Sequence, residues 1–458
     1  MQTLAPTPDD LVKKLLRLSR TEPVCILDSC GANAGGEGLL IAGASPSEVM
    51  EHRDASSALS DLEALTREFP AVFFSLSYDL GLRINGIRSQ HPAGHEPFVW
   101  AAAYESVFVH DYASGKTFSD GPGVVPELPG TVSGSDTEDH RFAAEAPAAR
   151  SEISRLEYLS KIEEIKELIR SGETYQTNLT QKISSRLPDG LSGRVLYDRL
   201  RRQHPSTHSA YFSRGTDEVV SISPERFFRV TDLSAAGSVR GGGRIKASPI
   251  KGTRPRAAEP GSDKRLRHDL AESEKDRAEN TMIVDLLRND LGRVCRFGSV
   301  SVTELCQVQE LPSLFHLVST IEGDLSLGIG LADILEALFP CGSITGCPKH
   351  RTMQIIDEIE PSARGLSMGA VGYAFRTSDL PELALVFGAS NPGAAGNVCA
   401  DLSVAIRTMT VRDRIAEFNV GGGIVIDSDP QGEYRESLDK ASALLAAIGT
   451  GLPGNGVT

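Results

Sequence analysis

The stretch NVGGGIVIDSDPQGEYRES, from Asn419 to Ser437, decides between two α/β architectures. Three consecutive glycines, Gly421, Gly422 and Gly423, invite a dinucleotide reading, because glycine amides can cradle an anion where the backbone comes close. A dinucleotide loop passes directly from its glycines into a helix. Here a strand-like Ile424-Val425-Ile426 and a turn intervene before the helical pattern of Glu433 to Ile448. AEFNVGGGIVI therefore reads as a strand, and the dinucleotide fold is rejected.

Working outward, ELALVFG, DLSVAIRTMTV, SAYFS, VVSISP and FFRV read as further strands, and TYQTNLTQKI alternates as a strand should. SRLEYLSKIEEIKELIRSG carries Leu156, Leu159, Ile162, Ile165, Leu168 and Ile169 at helical spacing and ends at Ser171-Gly172. Leu270 to Leu291 reads as one long helix. The first ~125 residues hold strand-like runs (VCILDS, AVFFSLSY, FVWAAAYESVFVHDY). A polar stretch from Asp120 to Ala148, rich in Gly, Pro and Ser, reads as an exposed loop or linker. No repeat and no regular βαβ alternation appears, so antiparallel sheet packed under helices is expected.

The 458 residues carry a formal charge of −14. An acidic surface repels phosphate backbones and anionic lipid, which makes nucleic acid and membrane poor partners. No apolar run approaches the ~18–20 residues of a membrane helix, and MQTLAPTPDD lacks the pattern of a signal peptide. Seven scattered cysteines without a CxxC pair suit a reducing cytoplasm better than a disulfide framework.

Two acidic pairs stand out. Asp276 and Glu279 on one helix, and Glu433 and Glu436 on another, are each spaced i, i+3 and share a helical face. Four carboxylates converging on one point need a cation between them. Oxygen ligands without His or Cys favour Mg²⁺. By contrast Lys251, in ASPIKGTRPR from Ala247 to Arg256, is on composition alone one cation among several.

The chain resembles the chorismate-utilising enzymes: anthranilate synthase component I, aminodeoxychorismate synthase component I, and the isochorismate and salicylate synthases. The resemblance covers the C-terminal ~300 residues. It is carried by SPERFF from Ser223, PIKGTRPR from Pro249, DRAENTMIVDLLRNDLGRVC from Asp276, GSITGCPKHRTMQIIDEIEP from Gly342, VAIRT from Val404 and GGGIVIDSDPQGEYRES from Gly421. It implies one α/β fold of two antiparallel sheets stacked face to face with outer helices and a cleft site. Residues 1–125 would form its N-terminal part, 126–150 an exposed loop, and 151–452 the chorismate-binding catalytic region.

The resemblance also implies roles. Glu279 and Glu436 would ligate Mg²⁺ directly, with Asp276 and Glu433 completing the shell, partly through water. Arg407, Ser343 and the amides of Gly421, Gly422 and Gly423 would contact the substrate carboxylates, and Lys440 would point at the same cluster. Glu225 would be the general acid for the departing C4 hydroxyl, and His316 would line the ring site. Where the isochorismate branch has a lysine base, this chain has Gln176, which cannot activate water. Ammonia is then the expected nucleophile. PIKGT rather than PIAGT points to the aminodeoxychorismate branch, in which Lys251 attacks C2 of chorismate. Such an attack needs a neutral amine, and Arg254, Arg256 and the bound Mg²⁺ are the neighbours expected to favour it. Ser367 stands where relatives usually carry an aromatic. No glutaminase triad is present, so ammonia is expected from a separate glutaminase subunit.

Overall fold

The structure, a computed structural model, describes residues 7–32, 38–92, 94–129, 146–234, 242–311 and 314–452. Most of the expected loop at 126–150 falls outside them, at 130–145. Among the described residues, an eleven-stranded and a ten-stranded antiparallel sheet stack face to face, with helices on their outer sides. Residues before 125 are woven into both. Val24–Asp28 pairs with His208–Ser213 in the larger sheet, and Ala71–Leu76 pairs with Ala370–Arg376 in the smaller.

Double coverage explains the apolar runs. All six residues of Ala71–Leu76 are buried. Val72, Phe74 and Leu76 pack into the core beneath the helices, while Ala71 and Phe73 face the opposite sheet. A strand covered on both faces has no need to alternate. Between the sheets, Phe73 and Trp100 each meet Phe212 across the gap, with ring centroids 6.4 and 5.9 Å apart. No helix among the described residues is long and apolar enough to cross a membrane.

Three elements differ from the sequence expectation. The helix expected over Leu270 to Leu291 is two helices, Pro260–Glu272 and Glu274–Gly292. Ser273 between them has an extended ψ of 105°, and its hydroxyl caps the second helix by accepting from the Asp276 amide at 3.3 Å. Apolar periodicity does not register such a cap. ELALVFG contains not a strand but the helix Pro381–Phe387, with proline in its first turn and left-handed Gly388 at its end. Those two signals outweigh a short apolar run. DLSVAIRTMTV holds two strands, Val398–Val404 in the smaller sheet and Thr408–Arg412 in the larger. The chain changes sheets between them, and Arg407 takes φ of +47° at the crossing.

A second crossing lies beside that one. Glu218–Ser223 belongs to the larger sheet and Arg226–Leu233 to the smaller, with Glu225 at the junction. The Val404 amide donates to the Glu225 carbonyl at 3.0 Å, and the Ile222 amide to that of Arg407 at 3.1 Å. Two adjacent changes of sheet thus set an acid and a cation at one seam.

Candidate active site

ASPIKGTRPR is no solvated loop. Ile250–Pro255 is a strand, paired with Leu314–Asp324, and the register slips between Ile250 and Thr253. Gly252 sits in that bulge at φ +82°, and a Cβ there would lie 2.8 Å from Asp276 Cγ. Bulges re-aim side chains, and this one turns Lys251 toward the charges of Glu225, Glu279 and Glu436. The two arginines expected to act on Lys251 are engaged elsewhere. Arg254 pairs with Asp276 at 3.0 Å and Arg256 with Asp263 at 2.8 Å. Lys251 therefore acts on three carboxylates, while both arginines are held by other partners.

Glu225 is 5% exposed. Burial pushes its carboxyl above the usual range, against the opposing pull of the Ser343 hydroxyl, Lys251 and Lys440. Ser343 lies in the short helical turn Gly342–Ile344. His316 stands opposite Thr253 in the ladder. Burial and the Arg407 guanidinium push its pKa down to about 4, so its ring is neutral at physiological pH. Burial lowers Arg407 too, and no carboxylate pairs with it among the described residues. A half-buried, unneutralised guanidinium is suited to an anionic ligand.

The acidic pairs divide. Asp276 faces Arg254, whereas Glu279 and Glu433 share the Lys275 ammonium at 3.9 and 3.7 Å. Ser428 donates to Glu433 at 2.7 Å. Lys440 reaches Glu436 at 2.8 Å and the Gly421 carbonyl at 2.9 Å, so it does point into the cluster. Burial raises Glu279, with Lys251 and Lys275 opposing. Burial acts the same way on Glu436, but Lys440, Lys275 and Lys251 outweigh it and hold that carboxyl low. Among the described residues no three Asp, Glu, His or Cys groups close to metal-binding distances. Even so, an ammonium already stands between Glu279 and Glu433, and the donors are all oxygens. Charge and ligand chemistry fit a hard divalent cation such as Mg²⁺.

The three glycines lie inside the regular strand Ile415–Ile424, opposite Thr180, Leu179 and Asn178. Their missing side chains make room. A Cβ on Gly422 would stand 3.1 Å from Glu433 Oε2, and one on Gly423 would stand 2.6 Å from Gln176 Nε2. Gln176 is fully buried, and neither its side-chain nitrogen nor its side-chain oxygen has a partner among the described residues. Such a group normally meets a ligand or ordered water. Ser367 accepts from the Asn419 amide at 3.0 Å and so ties down the start of the glycine segment.

Sequence reasoning missed Lys275 and a buried ion pair behind the site. Arg364 and Glu360 are 2.7 Å apart, with side chains 1% and 3% exposed. Arg364 donates to the carbonyls of Ile344 and Asn178 at 3.0 and 2.9 Å, and Glu360 accepts from the Thr180 amide at 2.7 Å. The pair bolts the Ser343 turn to the strand carrying Gln176. EIEPSARG carried no signal for the pair, because i, i+4 spacing aligns side chains only on a helix and the helix Lys349–Ile359 ends before Glu360. Arg364→Leu should cost about 3–5 kcal/mol in urea unfolding, because it strands a buried carboxylate. A loss below about 1 kcal/mol would mean that the pair is dispensable.

The sequence model of the family described as chorismate binding enzyme matches residues 22–385 and 393–446. Anthranilate synthase component 1 1 of Haloarcula marismortui is 38% identical over 311 residues, 68% of this chain and 57% of that protein. Aminodeoxychorismate synthase component 1 of Klebsiella aerogenes is 40% identical over 298 residues, 65% of this chain and 59% of that protein. The matches thus span under three fifths of these curated relatives. The crystal structure of anthranilate synthase component I from Streptococcus pneumoniae superposes with a TM-score of 0.71 at 25% identity, covering 88% of this chain and 91% of that one. MenF, the menaquinone-specific isochorismate synthase from Escherichia coli, has the same fold, with a TM-score of 0.68 at 16% identity over 95% of this chain and 91% of that one.

Proposed function

The chain belongs to the chorismate binding enzymes, and from that premise we propose that it is the ammonia-using component of an aminodeoxychorismate synthase. Its substrate would be chorismate, its ammonia would come from a glutaminase subunit, and its product would be 4-amino-4-deoxychorismate, a precursor for 4-aminobenzoate and folate. Identity near 40% to both aminating branches does not choose between them. The observation that carries the choice is Lys251, held by a strand bulge among Glu225, Glu279 and Glu436.

In this reading Arg407 and Lys440 bind the substrate carboxylates, and neutral His316 and Gln176 line the ring. Glu279 and Glu436, with Glu433 and Asp276 behind them, would hold Mg²⁺, which when bound neutralises the ring carboxylate. Lys251 first loses its ammonium proton to solvent, and its Nζ lone pair then forms a bond to C2. The ring double bonds shift and the C4–O bond breaks. Glu225 gives its proton to the departing oxygen, which leaves as water. Ammonia then attacks C4, the double bonds shift back, and the C2–Nζ bond breaks to return Lys251 as a free amine. The proton lost by the new C4 ammonium restores Glu225. A carboxyl that burial keeps above its usual range suits the donor role. Six of the seven cysteines support an external ammonia source. Burial raises the pKa of Cys25, Cys30, Cys295, Cys341, Cys347 and Cys399. Thiols held protonated are poor nucleophiles.

The test is incubation with chorismate, Mg²⁺ and ammonium at alkaline pH, with product identified by mass and absorbance. Loss of water and gain of ammonia with the pyruvyl group retained is the expected result. Release of pyruvate with anthranilate would move the chain to the other aminating branch. Turnover on glutamine without a second subunit would refute the partner assignment.

A further inference from the structure

Lys275 is the second residue of the helix Glu274–Gly292. A cation in a first turn is opposed by the helix dipole, whose positive end lies there. Its side chain is 57% exposed, so packing does not hold it either. What it faces accounts for its position. Its Nζ stands 3.9 Å from Glu279 Oε1, one turn along the same helix, and 3.7 Å from Glu433 Oε1, in the closing helix Pro430–Ile448. Glu279 and Glu433 repel one another, and Lys275 opposes that repulsion at Glu279 while also favouring the charged form of Glu436.

We propose that Lys275 is a built-in counter-ion that holds the carboxylates of the two helices together in the metal-free chain and is displaced when a divalent cation enters between them. The proposal rests on the cation site assigned under the proposed function. An ammonium set against Glu279 and Glu433 and a divalent cation held by Glu279 and Glu436 would share one carboxylate and repel strongly. Lys275 is the cation equipped to leave. Its contacts are longer than hydrogen bonds, its stem is flexible, and its exposure gives the ammonium water to move into. Lys440, by contrast, is fixed by Glu436 and the Gly421 carbonyl at 2.8 and 2.9 Å. The site would then keep its shape without metal, at the expense of a lower metal affinity than the carboxylates alone would give.

The full chain, stripped of metal, is titrated with Mg²⁺ by calorimetry and by thermal unfolding, alongside Lys275→Met, Lys275→Arg and Arg277→Met. Arg277 lies two residues on, and its guanidinium bonds the Ala271 carbonyl, so it controls for net charge. Lys275→Met should bind Mg²⁺ about tenfold more tightly. Its metal-free melting temperature should fall by several degrees and return to the wild-type value with saturating Mg²⁺. Lys275→Arg should keep the wild-type metal-free stability, and Arg277→Met should keep the wild-type affinity within about twofold. Lys275→Met matching wild type in both affinity and metal-free stability would overturn the inference alone. Equal tightening in Arg277→Met would overturn it too, as an effect of bulk charge. A wild-type chain that shows no response to Mg²⁺ would overturn the cation site and the inference together.

Discussion

Lys251→Ala should lower formation of 4-amino-4-deoxychorismate from chorismate and ammonium by ~10³-fold, the scale of losing a nucleophile. Lys251 is a partly exposed residue in a strand bulge, so the substitution should leave the melting temperature within a few degrees of wild type. Lys251→Arg separates bonding from charge. Arginine keeps a cation beside Glu225, Glu279 and Glu436 but is never neutral enough to attack carbon. If Lys251 forms the C2 bond, arginine should be as inactive as alanine. Recovery of half the wild-type rate in Lys251→Arg would reduce the role to ion pairing. With C2 no longer blocked by the lysine, the alanine variant should also divert residual turnover to attack at C2, detectable as an anthranilate-type product. Unchanged rate and product in Lys251→Ala would sink the aminodeoxychorismate assignment.

Glu225→Gln should lower turnover by ~10²–10⁴-fold, the range for loss of a positioned acid, and should change stability in the opposite sense. Burial raises the Glu225 pKa, so the folded state holds that proton more tightly than the unfolded chain does. The resulting stabilisation is full below the ordinary carboxyl range and is lost as pH rises through the raised value. Above that value the native state carries a buried carboxylate that glutamine would not. The melting temperature of Glu225→Gln relative to wild type should therefore climb as pH rises through the Glu225 pKa. The gap should close on acidification. A flat difference across pH would show that burial does not penalise the charged form. Undiminished turnover would remove Glu225 from the chemistry.

The strands were legible wherever period and punctuation agreed. Gln176–Arg186 and Ile415–Ile424 emerged where TYQTNLTQKI and the glycine run placed them. ELALVFG misled because a short apolar run fits a buried strand or a helix equally well. Pro381 just before it and Gly388 at its end carried the answer. In DLSVAIRTMTV one continuous β pattern concealed a change of sheet, since local periodicity does not say which sheet a strand joins.

For the site, the residue types could be read from chain order: an acidic i, i+3 pair on each of two helices, a glycine strand with no dinucleotide loop, one lysine in PIKGT, and Gln176 in place of a base. Those depend on spacing and side-chain chemistry, which the chain order contains. Their partners came from the packing of the folded chain. It gave Arg254 to Asp276 and Arg256 to Asp263, away from Lys251. It set Lys275 between Glu279 and Glu433, which lie 154 positions apart in the numbering. It put Glu225 and Arg407 at two neighbouring sheet crossings, joined through the backbone by Val404 and Ile222. The physical reason is that charge interactions depend on distance through space, and the packing of two sheets, not the order of residues, sets that distance.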